Sequence, residues 1–152
     1  MATRREMLLR SAQVAGLLAG AGLLPAAAHA AWNKAAFEAK NLADTVKALG
    51  AGAPAESKDV AISGPDIAEN GAVVPVGAAA SVAGVKQLLL LVEKNPNVLA
   101  AVFDVSDAVE PSFNTRVKMG QSSNVYAVAV MNDGRTLYAV KEIKVTLGGC
   151  GG

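Results

Sequence analysis

The chain has 152 residues, 52% of them hydrophobic and 18% charged with only 4% aromatic, which is the make-up of one folded domain with an ordinary core. Its 14 lysines and arginines stand against 13 aspartates and glutamates, and neither clustered bases nor interleaved aromatics occur, which excludes a nucleic-acid footprint. One cysteine and one histidine leave zinc, haem, copper and iron–sulfur centres short of ligands, and the chain has no calcium loop, phosphate loop or nucleophile elbow, so no cofactor is expected.

Residues 1–30 read as an export address. Thr3-Arg4-Arg5-Glu6-Met7-Leu8-Leu9-Arg10 resembles a twin-arginine signal, with paired arginines, apolar residues and a further base ahead of an Ala/Gly/Leu region over 12–24. Pro25 ends that region, and Ala28-His29-Ala30 offers a small-x-small cleavage pattern, so the exported chain is expected to start at Ala31 in the periplasm. The apolar region is too short and too glycine-broken for a membrane anchor. Cleavage removes Arg4, Arg5, Arg10 and Glu6, leaving 11 basic and 12 acidic side chains, and it removes His29, the one histidine. Twin-arginine export carries folded cargo. With no cofactor to insert first, a partner subunit that folds onto this chain is the expected reason.

Residues 31–55 form the next segment. Ala36, Phe37, Leu42, Val46 and Leu49 recur at helical spacing, which predicts one helix over 32–49 with Gly50 as its stop and 51–55 as a linker. From 56 to 147 the period shortens to that of strands, at 58–62, 72–76, 85–92, 99–104, 115–118, 124–131 and 136–147. Gly64-Pro65, Asn70-Gly71, Asn95-Pro96 and Glu110-Pro111 punctuate the runs, and Asn132-Asp133-Gly134 joins the last two as a hairpin. The expectation is an all-β, immunoglobulin-like antiparallel sandwich of about seven strands with an N-terminal helix. The run at 85–92 is apolar on both faces, so both must be covered, one by the core and the other by a second subunit or by the N-terminal helix.

The chain ends in Gly148-Gly149-Cys150-Gly151-Gly152. Glycine explores both signs of φ, so these residues are expected to be a flexible arm that carries Cys150 about 10 to 15 Å beyond the strand that precedes it. In an oxidising compartment a sole cysteine has no partner in its own chain and is free, capped or bonded to another molecule. A thiol with an ordinary pKa of about 8.5, close to the negatively charged carboxyl terminus, is not activated by its own chain. Without a histidine or a resolving thiol the protein is not expected to be an enzyme by itself.

Ile67-Ala68-Glu69-Asn70-Gly71-Ala72-Val73-Val74-Pro75-Val76, Thr115-Arg116-Val117-Lys118-Met119, Ser123-Asn124-Val125-Tyr126-Ala127-Val128 and Lys144-Val145-Thr146-Leu147-Gly148-Gly149-Cys150-Gly151-Gly152 together resemble the SoxY family. Its members are the cysteine-bearing subunits of the SoxYZ sulfur carrier of bacterial thiosulfate oxidation. The resemblance covers nearly all of the exported chain, and Leu147 stands where many relatives have isoleucine. It implies that Cys150 holds covalent sulfur intermediates and that Gly148, Gly149, Gly151 and Gly152 form the carrier arm. It also implies a SoxZ-type subunit as heterodimer partner. A c-type cytochrome complex would load the thiol, a manganese-dependent hydrolase would release sulfate, and a sulfane dehydrogenase, where present, would oxidise the remaining sulfur. The internal motifs are expected to be structural, Asn70-Gly71 as a turn and residues 123–128 as a strand.

Two other readings stand beside this one. Gly151-Gly152 fits a carrier that forms a terminal thiocarboxylate, although that activation needs ATP, which the compartment implied by the leader lacks. Cys150 also fits a sandwich tethered to a partner by an intermolecular disulfide.

Overall fold

The computed structural model describes residues 4–20 and 33–147. The chain divides into two units, Met1–Trp32 and Asn33–Gly152. The first contains helix α1 (Arg4–Gly20), which begins at the paired arginines and has a single acidic residue, Glu6, in its first turn. Among the described residues no helix is long and apolar enough to cross a membrane. The cleavage pattern at 28–30 lies outside the described residues.

The second unit opens with two short helices in place of the single one expected. Helix α2 (Lys34–Glu38) is capped by Asn33, whose Oδ1 accepts from the Ala36 N–H at 3.1 Å. Helix α3 (Leu42–Ala48) is capped by Asn41, whose Oδ1 accepts from the Asp44 N–H at 2.8 Å. The break has a local cause. Asparagine offers the backbone a better bond at a helix start than within a helix, and Asn41 lies in the middle of the apolar period. Asn33 then donates through Nδ2 to the Ala48 carbonyl at 3.0 Å, tying the start of one helix to the end of the other. Gly50, with φ of 74°, ends the pair where the sequence places the stop.

Nine strands follow among the described residues: β1 (Pro54–Glu56), β2 (Val60–Ser63), β3 (Ile67–Asn70), β4 (Val74–Ala80), β5 (Val85–Val92), β6 (Leu99–Asp104), β7 (Ser112–Val117), β8 (Ser123–Met131) and β9 (Thr136–Leu147). They form an immunoglobulin-like sandwich. The larger sheet runs β1-β9-β8-β5-β6 with β3 also on β9, and the smaller runs β2-β4-β7. Two strands escape the sequence. Pro54–Glu56 begins in the expected linker, and Ile67–Asn70 has no strand period of its own; each becomes a strand by pairing in parallel with β9. β4 also continues past the expected 72–76 through Gly77-Ala78-Ala79-Ala80, residues of low strand propensity held by Ala78↔Phe113 and Ala79↔Ser112. The expected hairpin forms: the Gly134 N–H donates to the Met131 carbonyl at 3.0 Å, with Gly134 at φ 86°.

β5 explains why its sequence is apolar on both faces. Leu88 and Leu90 face the smaller sheet in a core with Val74, Val76, Val125, Ala127 and Ile143. Leu89 and Leu91 face the other way, into a second cluster with Ala36 and Val46 of α2 and α3 and with Val128 and Val130. All four leucines are fully buried. The cover on the second face is therefore the helix pair, one of the two arrangements left open by the sequence, and each leucine buried this way contributes roughly 1.5–3 kcal/mol of transfer free energy.

Candidate functional site

Cys150 and its neighbours Gly148, Gly149, Gly151 and Gly152 lie outside the described residues. What can be built from the residues upward is the platform from which they leave. β8 pairs β9 from Val130↔Thr136 to Ser123↔Ile143 and then stops. β9 continues for residues 144–147 with β3 on its opposite flank, at Ile67↔Lys144, Ala68↔Val145 and Asn70↔Leu147.

A set of bonds holds these last residues. The Lys144 N–H donates to the Asp66 carbonyl at 3.0 Å, and the Val145 N–H donates to Ser122 Oγ at 2.9 Å. Thr146 Oγ1 donates to the Glu69 carbonyl at 2.9 Å. Finally, the Gly71 N–H donates to the carbonyl of Leu147 at 2.7 Å, the last position before the glycines. The carbonyl of Gly71 is used too, accepting from the Met119 N–H at 2.7 Å, so the 70–73 turn joins the chain end to the segment after β7. Asn70 shapes the turn by accepting from the Ala72 N–H through Oδ1 at 2.9 Å. Each such bond is worth roughly 0.5–1.5 kcal/mol net, so together they fix the root against the fraying usual at a chain end.

Beneath the turn, Met119 is fully buried. Its loop is pinned by Asn95, which donates through Nδ2 to the Lys118 carbonyl at 2.6 Å. Ser123 Oγ accepts from the Lys94 N–H at 3.0 Å and donates to the Asn124 carbonyl at 2.9 Å. The motif stretches at 67–76, 115–119, 123–128 and 144–147 thus converge on one corner of the sandwich. Asn70-Gly71 is a turn and 123–128 is strand, as expected, and the turn helps to seat the end of β9. Ser122 was missed, since a serine in a loop carries no signal in sequence until the strand it caps is known. Asn95, expected as a plain turn residue, proves to brace a second loop.

Charge at this corner is mixed. Lys141 Nζ lies 2.8 Å from Asp66 Oδ1, and the hydrogen bond from Lys141, reinforced by its charge, holds the Asp66 carboxyl below its ordinary value. There are two shallow surface cavities of about 310 and 280 Å³, one lined by Lys58, Asp59 and Glu110 and the other, on the β4 and β7 side, by Ser63, Pro75 and Asn114. Neither is lined by a residue of β3, the 70–73 turn or β9. Among the described residues no group of three or more His, Cys, Asp or Glu is placed to hold a metal ion. Among the described residues, the corner anchors the last residues of β9 through these bonds.

Comparison with known proteins agrees with that architecture. The sulfur carrier protein SoxY from Chlorobium limicola f thiosulfatophilum is similar over 68% of this chain and 96% of its own, with 34% identity and a TM-score of 0.60. A superoxide reductase (neelaredoxin) from Ignicoccus hospitalis is 22% identical over 57% of this chain and 78% of its own, with a TM-score of 0.51, a likeness of fold alone. None of the curated proteins matches. The family model described as sulfur oxidation protein SoxY matches residues 45–150, from α3 through both sheets to the cysteine, and the chain belongs to the SoxY family.

Proposed function

We propose that this protein is a sulfur carrier whose Cys150 covalently holds thiosulfate-derived intermediates and moves them between enzymes. The observation that carries the reading is the fixed root at Leu147 followed, three residues later, by the chain's only cysteine among four glycines. A carrier needs a firm body and a narrow, adaptable attachment point, and glycines give the second because they present only backbone to a channel wall.

The chemistry balances with the partners the family implies. In loading, the Cys150 thiol and thiosulfate join through a new S–S bond, releasing a proton and passing two electrons to the haems of a c-type cytochrome complex. In the next step water attacks the terminal sulfonate sulfur in a manganese-dependent hydrolase; sulfate leaves and a persulfide stays on Cys150. A sulfane dehydrogenase, where the host has one, oxidises that sulfur further. The carrier supplies no acid, base or metal to these steps and acts by delivery. A SoxZ-type subunit completes the carrier as a heterodimer. The twin-arginine leader around Arg4 and Arg5 exports the folded pair to the periplasm.

Intact-mass measurement of the protein after incubation with thiosulfate and the cytochrome complex tests the reading. The expected result is a gain equal to one bound thiosulfate that is removed by reductant and does not form in Cys150→Ser. A mass gain that survives in Cys150→Ser overturns the proposal, and a reducible protein chain in its place identifies a disulfide tether instead.

A further inference from the structure

Outside α1, the large hydrophobic side chains left exposed among the described residues are Ile67, Val73, Val109, Val140 and Leu147. Three of the five gather around the root of the arm. Leu147 and Val73, 70% and 53% exposed, flank one short connection: the Gly71 N–H bonds the Leu147 carbonyl and the Val73 N–H bonds the Asn70 carbonyl at 3.4 Å. Ile67, 59% exposed, opens β3 opposite Lys144. Single exposed hydrophobics are ordinary on protein surfaces. What sets these apart is the length of chain beyond them.

Cys150 follows Leu147 by three residues, and three extended residues span at most about 10–11 Å. Any protein whose interior groups touch the Cys150 sulfur must therefore bring its own surface within about that distance of Leu147. The root bonds do not let β9 pay out more length while they hold. The mouth of a receiving channel must then meet the surface around Leu147, and its chemistry can be read from that surface. Charges there are of both signs and nearly balance, Asp66, Glu69 and Glu142 against Arg116, Lys118, Lys141 and Lys144, with Asp66 already paired to Lys141. They leave no field to steer a charged rim.

We propose that Val73 and Leu147, with Ile67 beside them, form a docking collar for an enzyme whose channel mouth is rimmed by apolar side chains, so that the collar seats the enzyme while the arm enters it. The proposal rests on the carrier reading of Cys150 and adds the surface that each enzyme has in common. A collar of two or three side chains buries little area, which suits brief encounters with several enzymes in turn.

The test uses the full carrier as the varied substrate in thiosulfate loading by the c-type cytochrome complex. Val73→Ser combined with Leu147→Ser should raise KM about tenfold, equivalent to about 1.4 kcal/mol, and leave kcat unchanged, because the arm is intact once the complex has formed. Alkylation of Cys150 by iodoacetamide and the thermal midpoint should match wild type, since both side chains are exposed. Leu147→Ile should retain the wild-type KM. Val109→Ser serves as the distant control, because Val109 precedes β7 at the Ser112↔Ala79 end, whereas the root adjoins the Val117↔Val74 end. An unchanged KM in the double variant, a fall in kcat alone, or an equal rise in KM in Val109→Ser overturns the collar. Failure of wild type to load at all overturns the carrier reading itself, a result distinct from these.

Discussion

Replacing Ser122 by alanine removes the acceptor for the Val145 N–H and touches nothing in the core. Four bonds hold residues 144–147, from Asp66, Ser122, Glu69 and Gly71. At about 1 kcal/mol each they set local opening of the root at roughly 4 kcal/mol, a protection of about a thousandfold for the amides involved. Loss of one brings that to roughly 3 kcal/mol, so exchange of the root amides should quicken about fivefold, and that of the Val145 amide, which also loses its own acceptor, by at least as much. The same quickening should appear at the Lys144 and Gly71 amides if the root opens as one unit. Val128, fully buried in the centre of β8, reports the stability of the whole sandwich and should remain far slower than all three. Hydrogen exchange followed by NMR on both proteins resolves each amide. Acceleration confined to Val145 would refute the root as a cooperative clamp, and no acceleration at Val145 would refute the Ser122 bond.

Thr136 Oγ1 is buried without a hydrogen-bond partner among the described residues, so Thr136→Val, which keeps the shape and drops the hydroxyl, should stabilise the protein by about 1 kcal/mol in denaturant titration. Asp66 has a lowered pKa because of Lys141; its contribution to stability is present above its unfolded pKa and is lost as pH falls through the folded value. An NMR titration should therefore show Asp66 protonating below an ordinary aspartate, and Lys141→Met should return it toward that value. On the proposed carrier reading, Gly149→Val with Gly151→Val should cut enzymatic loading sharply and leave iodoacetamide alkylation of Cys150 and the thermal midpoint unchanged, since β-branched residues add bulk and stiffen the backbone; equal loading by the valine variant would show that the glycines are only a tether.

Much of this architecture was legible because the strands that build the core carry their own signals. Val85–Val92, Leu99–Asp104 and Thr136–Leu147 have the bounds their sequence predicts, since runs of leucine, valine and isoleucine between turn residues have few other uses. The elements missed are those whose structure is supplied by a partner. Pro54–Glu56 and Ile67–Asn70 are strands because β9 offers them free backbone groups, and a pairing across 77 residues leaves no local trace, as the Thr146 bond to Glu69 illustrates. The helix over 32–49 failed for the opposite reason: hydrophobic spacing was read across Asn41, whose capping preference outweighed it. At the candidate site the cysteine and its glycines are conspicuous in sequence. The seat beneath them is not, because Ser122, Gly71 and Asn95 act through backbone groups that only the fold brings near.

The two parallel strands on β9 also bear on aggregation. Without them the 12 residues of β9 would form a long sheet edge on which another chain could add a strand. β1 blocks its beginning at Thr136–Tyr138 and β3 blocks its end from Lys144 to Leu147. The window left between them spans residues 139–143, where Lys141 and Glu142 place charges that a second β-strand would have to accommodate. On the proposed carrier reading, β9 is thereby closed to strand addition along most of its length while its last residues stay available to partners.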